Sequence, residues 1–181
     1  MSNIIKKDHI KYVLNDEEKT AAVARGNIDV EDNFYIDRSI QSNGTEYIVT
    51  SILENAFRRG NGINSIQLAP NSELQTIGKC SFTGIGIESF TIPPHLTKIS
   101  DNAFAGCRLL EKVEIPFNSE LRIIGESSFF STGIENFTIP VHLTEIGKGA
   151  FQNCAKLKNI EIPINSGIRK IGKYAFGFCS I

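Results

Sequence analysis

The sequence lacks several features that would point to a membrane or a nucleic acid. Tryptophan is absent, methionine occurs once, and 19 Lys and Arg residues nearly balance 20 Asp and Glu residues. Because charges of both signs are interspersed, the electrostatics give no reason to expect nucleic acid or an anionic membrane as a partner. No run approaches the ~20 apolar residues of a transmembrane helix, and the first nine residues lack the apolar segment of a signal peptide. We therefore expect no direct membrane insertion.

What the sequence does contain is a repeat. An isoleucine recurs at spacings that alternate between 25 and 22 residues, which gives a period of 47 residues: Ile52, Ile77, Ile99, Ile124, Ile146 and Ile171. Five residues after each isoleucine stands a phenylalanine: Phe57, Phe82, Phe104, Phe129, Phe151 and Phe176. An alanine or a serine precedes each of these phenylalanines. The same three features in every unit identify a repeat array.

The second half of each unit has the spacing of a short strand with one buried face, apolar-x-x-apolar-x-apolar. The complete examples are Ile63/Ile66/Leu68, Ile87/Phe90/Ile92, Leu110/Val113/Ile115, Ile134/Phe137/Ile139 and Leu157/Ile160/Ile162. Prolines follow these strands, where a missing N–H group does no harm to a ladder. The two repeat lengths differ only between the apolar positions, so the length difference is predicted to fall in loops.

Such a unit cannot bury its own apolar face, but stacked units can. We expect a solenoid in which the phenylalanines form one interior file. The short strands are predicted to pair in parallel, ~4.8 Å apart, as one parallel β-sheet on the concave face. The segments from isoleucine to phenylalanine are predicted to form short helical turns on the convex face. The expected fold is thus an α/β-type, curved, right-handed coil.

The segment 146–163, IGKGAFQNCAKLKNIEIP, closely resembles the BspA-like class of leucine-rich repeats. The resemblance extends over about residues 30–181. It implies a curved leucine-rich-repeat solenoid. It also implies a cell-surface adhesion or host-interaction role, because members of this family are often described in those terms.

The two ends of the array differ. Residues 1–51 are predicted to be an antiparallel, hairpin-rich cap, with strands at 10–14 and 20–24 and a hairpin at Asn43-Gly44. Residues 52–181 are predicted to hold six repeats, of which the last makes no strand. Either the array continues beyond residue 181 or another copy of the chain covers this end, and we predict end-to-end self-association. The apolar side chains at this end are Ile171, Phe176, Phe178 and Ile181.

Cysteines and histidines follow the repeat and not the spacing of a metal site. Cys107, Cys154 and Cys179 each stand three residues after a repeat phenylalanine and are predicted to be small buried groups. Cys154 and Cys179 fall in adjacent coils, so the geometry also allows a disulfide. His95 and His142 occupy equivalent loops two coils apart. With no strained-turn nucleophile and no phosphate-binding loop, we predict no catalytic residue, no cofactor and no metal.

The predicted functional surface is the outward side of the concave sheet, which is mildly acidic and would bind another protein. Because interface hot spots favour Trp, Tyr and Arg, we expect modest affinity, with Tyr35 as the aromatic anchor. The selected residues are Tyr35, Gln67, Glu88, Thr91, Glu111, Lys112, Glu114, Glu135, Asn136, Thr138, Asn159 and Glu161.

The function predicted first is therefore a non-enzymatic adhesion or surface-interaction module. The alternative is an intracellular scaffold or regulatory subunit. The absence of a signal segment and the unpaired cysteines favour the alternative, because an intracellular compartment is reducing. The family resemblance favours the cell surface.

Overall fold

The computed structural model describes residues 3–25, 32–60 and 62–181. The described residues contain no helix, and hence none that could span a membrane. The first seven strands are β1 (Asn3–Lys7), β2 (Ile10–Asn15), β3 (Thr20–Ala24), β4 (Asp32–Ile36), β5 (Ser39–Ser42), β6 (Thr45–Ile52) and β7 (Ile63–Leu68). The later strands are β8 (Thr76–Ile77), β9 (Ser89–Thr91), β10 (Lys98–Ile99), β11 (Lys112–Glu114), β12 (Ile123–Ile124), β13 (Asn136–Thr138), β14 (Glu145–Ile146), β15 (Asn159–Glu161) and β16 (Lys170–Ile171).

The continuous parallel sheet lies at the repeat isoleucines, where the sequence predicted none. Strands β6, β8, β10, β12, β14 and β16 pair in that order, each isoleucine opposite the next, as in Ile99 opposite Ile124. The isoleucines from Ile52 to Ile146 are buried. Each of these repeat strands after β6 has only two residues because the chain turns on both sides of it. A pattern search for alternation over several residues therefore misses them.

The predicted strands do form, but the prediction that they make one continuous sheet is wrong. They pair in parallel only two by two, as β4 with β7, β9 with β11 and β13 with β15. We call these six strands the strand row. The solenoid is therefore a β-solenoid of about six coils, with an uninterrupted sheet along one side and a divided strand row along another.

In each coil the segment from isoleucine to phenylalanine forms turns, and the turns of successive coils stack on one another. The prediction of short helical turns is therefore wrong. In every coil the residues two before and two after the phenylalanine have positive φ, as Asn102 (56°) and Gly106 (73°) do around Phe104. The N–H group of Phe104 donates to the Ser128 carbonyl in the next coil at 2.7 Å, and that of Ala105 donates within its own coil. An α-helix needs negative φ throughout and keeps its hydrogen bonds internal. Here alternate N–H groups join neighbouring coils instead.

The repeat phenylalanines form the predicted interior file. Consecutive ring centroids from Phe57 to Phe176 are 4.9–5.5 Å apart, and every pair is stacked. The alanine or serine before each ring is also buried, which lets successive turns approach closely. This file confirms the central prediction of the sequence: equivalent residues of successive coils stack to build one core.

The N-terminal segment contains the predicted hairpins. Strands β2 and β3 are antiparallel, and Asn43 and Gly44 both have positive φ in the turn between β5 and β6. That pair of conformations matches the primed hairpin turns for which Asn-Gly is favoured. Strand β1, which the sequence did not predict, pairs with β2 at the edge of the large sheet. The division into a cap at 1–51 and repeats at 52–181 stays a prediction, and residues 1, 2, 26–31 and 61 lie outside the described ranges.

Candidate protein-interaction surface

Two clefts divide the strand row, and both lie where a strand of a long unit meets a strand of a short unit. Cleft 1 separates β7 from β9, and cleft 2 separates β11 from β13. The coils stay joined at the start of each cleft, where Gly86 N–H donates to the Ile63 carbonyl (3.2 Å) and Glu135 N–H to the Glu111 carbonyl (3.4 Å). Beyond these bonds the described strands on either side form no ladder. The strand row is thus open at every second junction.

Large side chains in the short units explain the pairing. Phe90 of β9 packs between Phe82 of its own coil (5.6 Å) and Phe104 of the next coil (5.0 Å). Phe137 of β13 repeats the arrangement one period later. The long-unit strands carry Ile or Val at this position. Each phenylalanine therefore draws its strand toward the following coil and leaves a cleft on the preceding side.

The clefts expose peptide groups that a continuous sheet would have paired. Successive peptide groups of a strand point to opposite sides, and Ile92 and Ile139 donate forward to Glu114 and Glu161 (2.8 and 2.9 Å). The neighbouring peptide groups therefore face backward into the clefts. On the short-unit side they belong to Ser89, Thr91, Asn136 and Thr138.

Cleft 1 is neutral. Its cavity volume is about 570 Å³. Hydroxyl and amide groups of Ser65, Gln67, Ser89 and Thr91 line it beside apolar side chains, and four prolines complete the lining: Pro70, Pro93, Pro94 and Pro116. None of the described residues that line this cavity is charged.

Cleft 2 is the equivalent space 47 residues along the chain, with a cavity volume of about 470 Å³. Lys112 replaces Ser65 and Asn136 replaces Ser89, while a threonine is kept at the third position, Thr138. Glu111 and Glu135 also line it. The two clefts thus lie at equivalent positions of the repeat, but the residues that line cleft 1 are neutral, whereas several that line cleft 2 are charged.

Side chains bridge the paired strands in a repeated manner. The hydroxyl of Thr91 donates to Glu114 and that of Thr138 donates to Glu161, both at 3.1 Å. The ammonium of Lys112 lies 2.6 Å from Glu114. Hydrogen bonds from Lys112 first and Thr91 second hold the pKa of the Glu114 carboxyl below its ordinary value. These exposed pairs fix side-chain positions and contribute little to stability.

A second exposed ion pair holds Glu111, which lines cleft 2. Lys156 Nζ lies 2.5 Å from Glu111 Oε1, and this contact raises the pKa of Lys156. The carboxylate that lines the cleft is therefore held in place by a side chain two coils further along the chain.

The predicted binding residues lie at four different places on the strand row. Gln67 and Thr91 line cleft 1, and five residues line cleft 2: Glu111, Lys112, Glu135, Asn136 and Thr138. Glu114, Asn159 and Glu161 lie on paired strands, and Tyr35 lies on β4 opposite Gln67, with 48% of its surface exposed. Glu88 is exposed but lines neither cleft. Their role in binding stays a prediction.

The selection missed the prolines and the small hydroxyl residues of cleft 1. Ser65 and Ser89 face outward on the predicted sheet, but nothing in a single strand distinguishes them. The alternation between 25 and 22 residues was the available signal. It indicated unequal coils, and unequal coils need not pair evenly.

The cysteines are free thiols in this structure. Cys107 and Cys154 are buried and donate to carbonyls of the preceding coil, Phe82 and Phe129, both at 3.0 Å. Burial raises the pKa of Cys107 to about 11. These thiols therefore act as small buried donors, at the repeat position where Cys179 also stands. Within the described ranges, no group of three or more His, Cys, Asp or Glu side chains is placed to hold a metal ion.

The predicted self-association end is exposed. Ile171, Phe178 and Ile181 are 48%, 75% and 59% exposed, while Phe176 packs against the core. The coil from residue 165 onward carries three cations, Arg169, Lys170 and Lys173, and no carboxylate side chain. Two copies meeting through this coil would place like charges together. Association through this end stays a prediction.

The fold and the exposed strand row define a repeat protein of the protein-interaction type. The family model described as the BspA type leucine rich repeat region matches the chain in six copies, over residues 29–144 and 122–181. The chain belongs to this family. A search of curated proteins found no match to the chain.

Solved bacterial structures share the fold. The pneumococcal vaccine antigen PcpA is 20% identical with a TM-score of 0.73, over 92% of this chain and 51% of that chain. A leucine-rich repeat protein from T. pallidum is 21% identical with a TM-score of 0.71, over 93% and 81%. A leucine-rich cell surface protein from Faecalibacterium prausnitzii is 18% identical with a TM-score of 0.51, over 90% and 55%. The chain thus spans about half the length of PcpA and of the F. prausnitzii protein, and these identities support the fold alone.

Proposed function

We propose that the chain is a non-enzymatic protein-binding module that holds its partner on the strand row, with the two clefts as the principal contacts. The observation that carries this proposal is the recurrence of one cleft at a 47-residue interval, each time beside backward-facing peptide groups. The recurrence follows from the equivalent packing of Phe90 and Phe137, so both clefts present peptide groups in the same register. A repeated opening can engage two neighbouring groups of one partner.

The chemistry of the clefts suits polar protein groups. Peptide N–H and C=O groups at sheet edges bind other polypeptide segments. Here they stand beside the hydroxyls of Thr91 and Thr138. A partner loop that inserts amide or hydroxyl side chains between the strands would pair with both kinds of group. Cleft 1 adds proline surfaces for apolar contact, and cleft 2 adds Glu111 and Glu135 for a basic side chain.

The expected affinity is modest. Hot spots in interfaces are enriched in Trp, Tyr and Arg, and Tyr35 is the only aromatic residue in the set of predicted binding residues. Specificity is therefore expected to come from the charged lining of cleft 2, since charge complementarity acts mainly on partner choice and association rate.

An adhesion or surface role is the finer form of this proposal. It is supported by the family resemblance and by the names of two structures of similar fold, a vaccine antigen and a cell surface protein. The free thiols favour the alternative, an intracellular scaffold or regulatory subunit, because disulfides form in oxidising compartments. Antibody labelling of intact and permeabilised cells separates the two: labelling of intact cells supports the surface role, and labelling only after permeabilisation supports the scaffold.

The binding proposal is tested with a displayed library of random peptides selected on the immobilised chain. T91R/T138R places a long cationic side chain beside each cleft. T97R/T144R is the matched control, because these threonines are also 47 residues apart and their hydroxyls also each donate one hydrogen bond, to Gln75 and Arg122. We expect selected peptides to bind T91R/T138R at least about tenfold more weakly than the control variant. Failure to select any peptide, or equal binding to both variants, would contradict the proposal.

A further inference from the structure

One apolar side chain per coil stands just beyond the strand row. It is always the second residue after the apolar residue that ends the strand pattern, and we call the five together the ridge: Pro70, Pro94, Phe117, Val141 and Ile164. Each ridge residue is second in a four-residue turn, as the Pro116–Ser119 turn shows with its closing N–H···O bond of 3.0 Å. That turn position accepts most residues. The fold itself therefore does not require an apolar side chain there.

The ridge alternates between protruding and recessed residues. Phe117 is 98% exposed, Ile164 is fully exposed and Pro70 is also exposed, whereas Pro94 and Val141 are half-buried. The alternation follows from the two repeat lengths. In long units the loop from the strand to the closing leucine has two more residues, so its turn stands further out.

The residues that follow the ridge residues are polar. The next residue in each coil is an asparagine or a histidine in strict alternation: Asn71, His95, Asn118, His142 and Asn165. His95 Nδ1 lies 3.2 Å from Glu120 Oε1, so this acidic side chain is paired within the same surface.

We infer that the ridge is an interface between two copies of this chain, packed antiparallel about a two-fold axis. With the axis between the coils of Phe117 and Val141, Phe117 of one copy meets Val141 of the other. Ile164 then meets Pro94, so these two protruding residues each face a recessed one, and Pro70 lies outside the paired part of the ridge. Such a contact is self-complementary, as a two-fold interface must be.

A second copy fits this ridge because it has the same spacing, ~4.8 Å per coil, and the same alternation in height. A helix or an extended strand spaces its side chains differently. The four paired apolar side chains offer on the order of 400 Å² per copy, below the ~800 Å² per partner of a standard interface. The dimer is therefore expected to be weak, with a dissociation constant on the order of 100 μM.

The test is sedimentation equilibrium of the full chain from about 10 μM to about 1 mM. The wild type is expected to shift from monomer to dimer over this range, and F117D/I164D is expected to stay monomeric. F178D/I181D is the control, because those side chains are also exposed but lie at the terminal coil, and it should dimerise as the wild type does. Circular dichroism checks that each variant is folded. A wild type that stays monomeric, or a dimer lost in F178D/I181D and kept in F117D/I164D, would overturn the inference.

A charge-swap experiment tests the register. F117K and V141E should each dimerise at least about tenfold more weakly than wild type. In an equimolar mixture, the lysine introduced in one copy would face the glutamate introduced in the other, while the wild-type pair forms at the second contact. The mixture should therefore associate more tightly than either variant alone. A mixture no tighter than its components would contradict this pairing.

Discussion

The two sides of the solenoid are built from the same repeats but are joined differently. Along the sheet that includes Ile99 and Ile124, every coil is bonded to the next. Along the strand row, each junction that Phe90 or Phe137 spans is closed, and the junction before it is open. The comparison indicates that the phenylalanine file and the isoleucine sheet hold the array together, which leaves the strand row free to carry polar groups for recognition.

The largest expected effect is on the side that holds the array together. Phe104 is fully buried and stacks between Phe82 (4.9 Å) and Phe129 (5.2 Å). Phe104→Ala should lower the free energy of unfolding by about 3–5 kcal/mol, because it removes a large buried side chain and leaves a cavity. Phe117→Ala, at a 98% exposed position, should change it by less than about 0.5 kcal/mol. Urea denaturation measures the free energy of unfolding of both variants. Equal effects would contradict the claim that the stacked phenylalanines stabilise the array more than exposed side chains do.

The next effect tests why the strands pair two by two. Phe90→Leu shortens the side chain that spans two coils. It should lower the free energy of unfolding by about 1–2 kcal/mol. It should also speed amide exchange at Ile92, whose N–H group donates across the β9–β11 pair. Exchange at Ile139, in the β13–β15 pair, serves as the internal reference and should not change. Unaltered exchange at Ile92 would mean that Phe90 does not set the pairing.

The sequence predicts the core more fully than it predicts the surface. The position of Phe104 and the Asn43-Gly44 hairpin follow from patterns that do not depend on distant contacts. The pattern predicts helical turns where the structure has turns with positive φ, although residues that tolerate positive φ, such as Asn102 and Gly106, mark the required positions. The clefts depend on Phe90 packing between two coils, which no single repeat reveals.

A smaller effect concerns buried hydroxyls in the file. Ser128 is fully buried and its hydroxyl has no hydrogen-bond partner in the described part of the chain, whereas four of the six coils have alanine at this position. Ser128→Ala should raise the free energy of unfolding by about 1 kcal/mol, because it removes an unsatisfied buried group. Ser119→Ala is the matched control of opposite sign, since that buried hydroxyl accepts the Leu121 N–H at 3.3 Å. Thermal denaturation of both variants gives the comparison, and a loss of stability in Ser128→Ala would contradict the assignment.

The smallest effect is electrostatic and lies on the strand row. Lys112→Ala should raise the pKa of Glu114 toward its ordinary value, because the ammonium is the first cause of its depression. Thr91→Ala should raise it less. Since the folded-state pKa is depressed, the carboxylate stabilises the fold above its unfolded pKa, and this contribution is lost as the pH falls through the folded pKa. A titration of the Glu114 side chain followed by NMR measures the shift, and no change in Lys112→Ala would exclude the contact.

Native-state amide exchange tests the account most directly. The N–H groups of Ile92 and Ile139 donate hydrogen bonds across closed junctions. The N–H groups that face the open clefts belong to Ser89, Thr91, Asn136 and Thr138. The account predicts strong protection of the two isoleucines and exchange at least about a hundredfold faster at the four cleft residues. Equal protection of both groups would mean that the strand row is one continuous sheet, and the clefts and the binding role proposed for them would have to be abandoned.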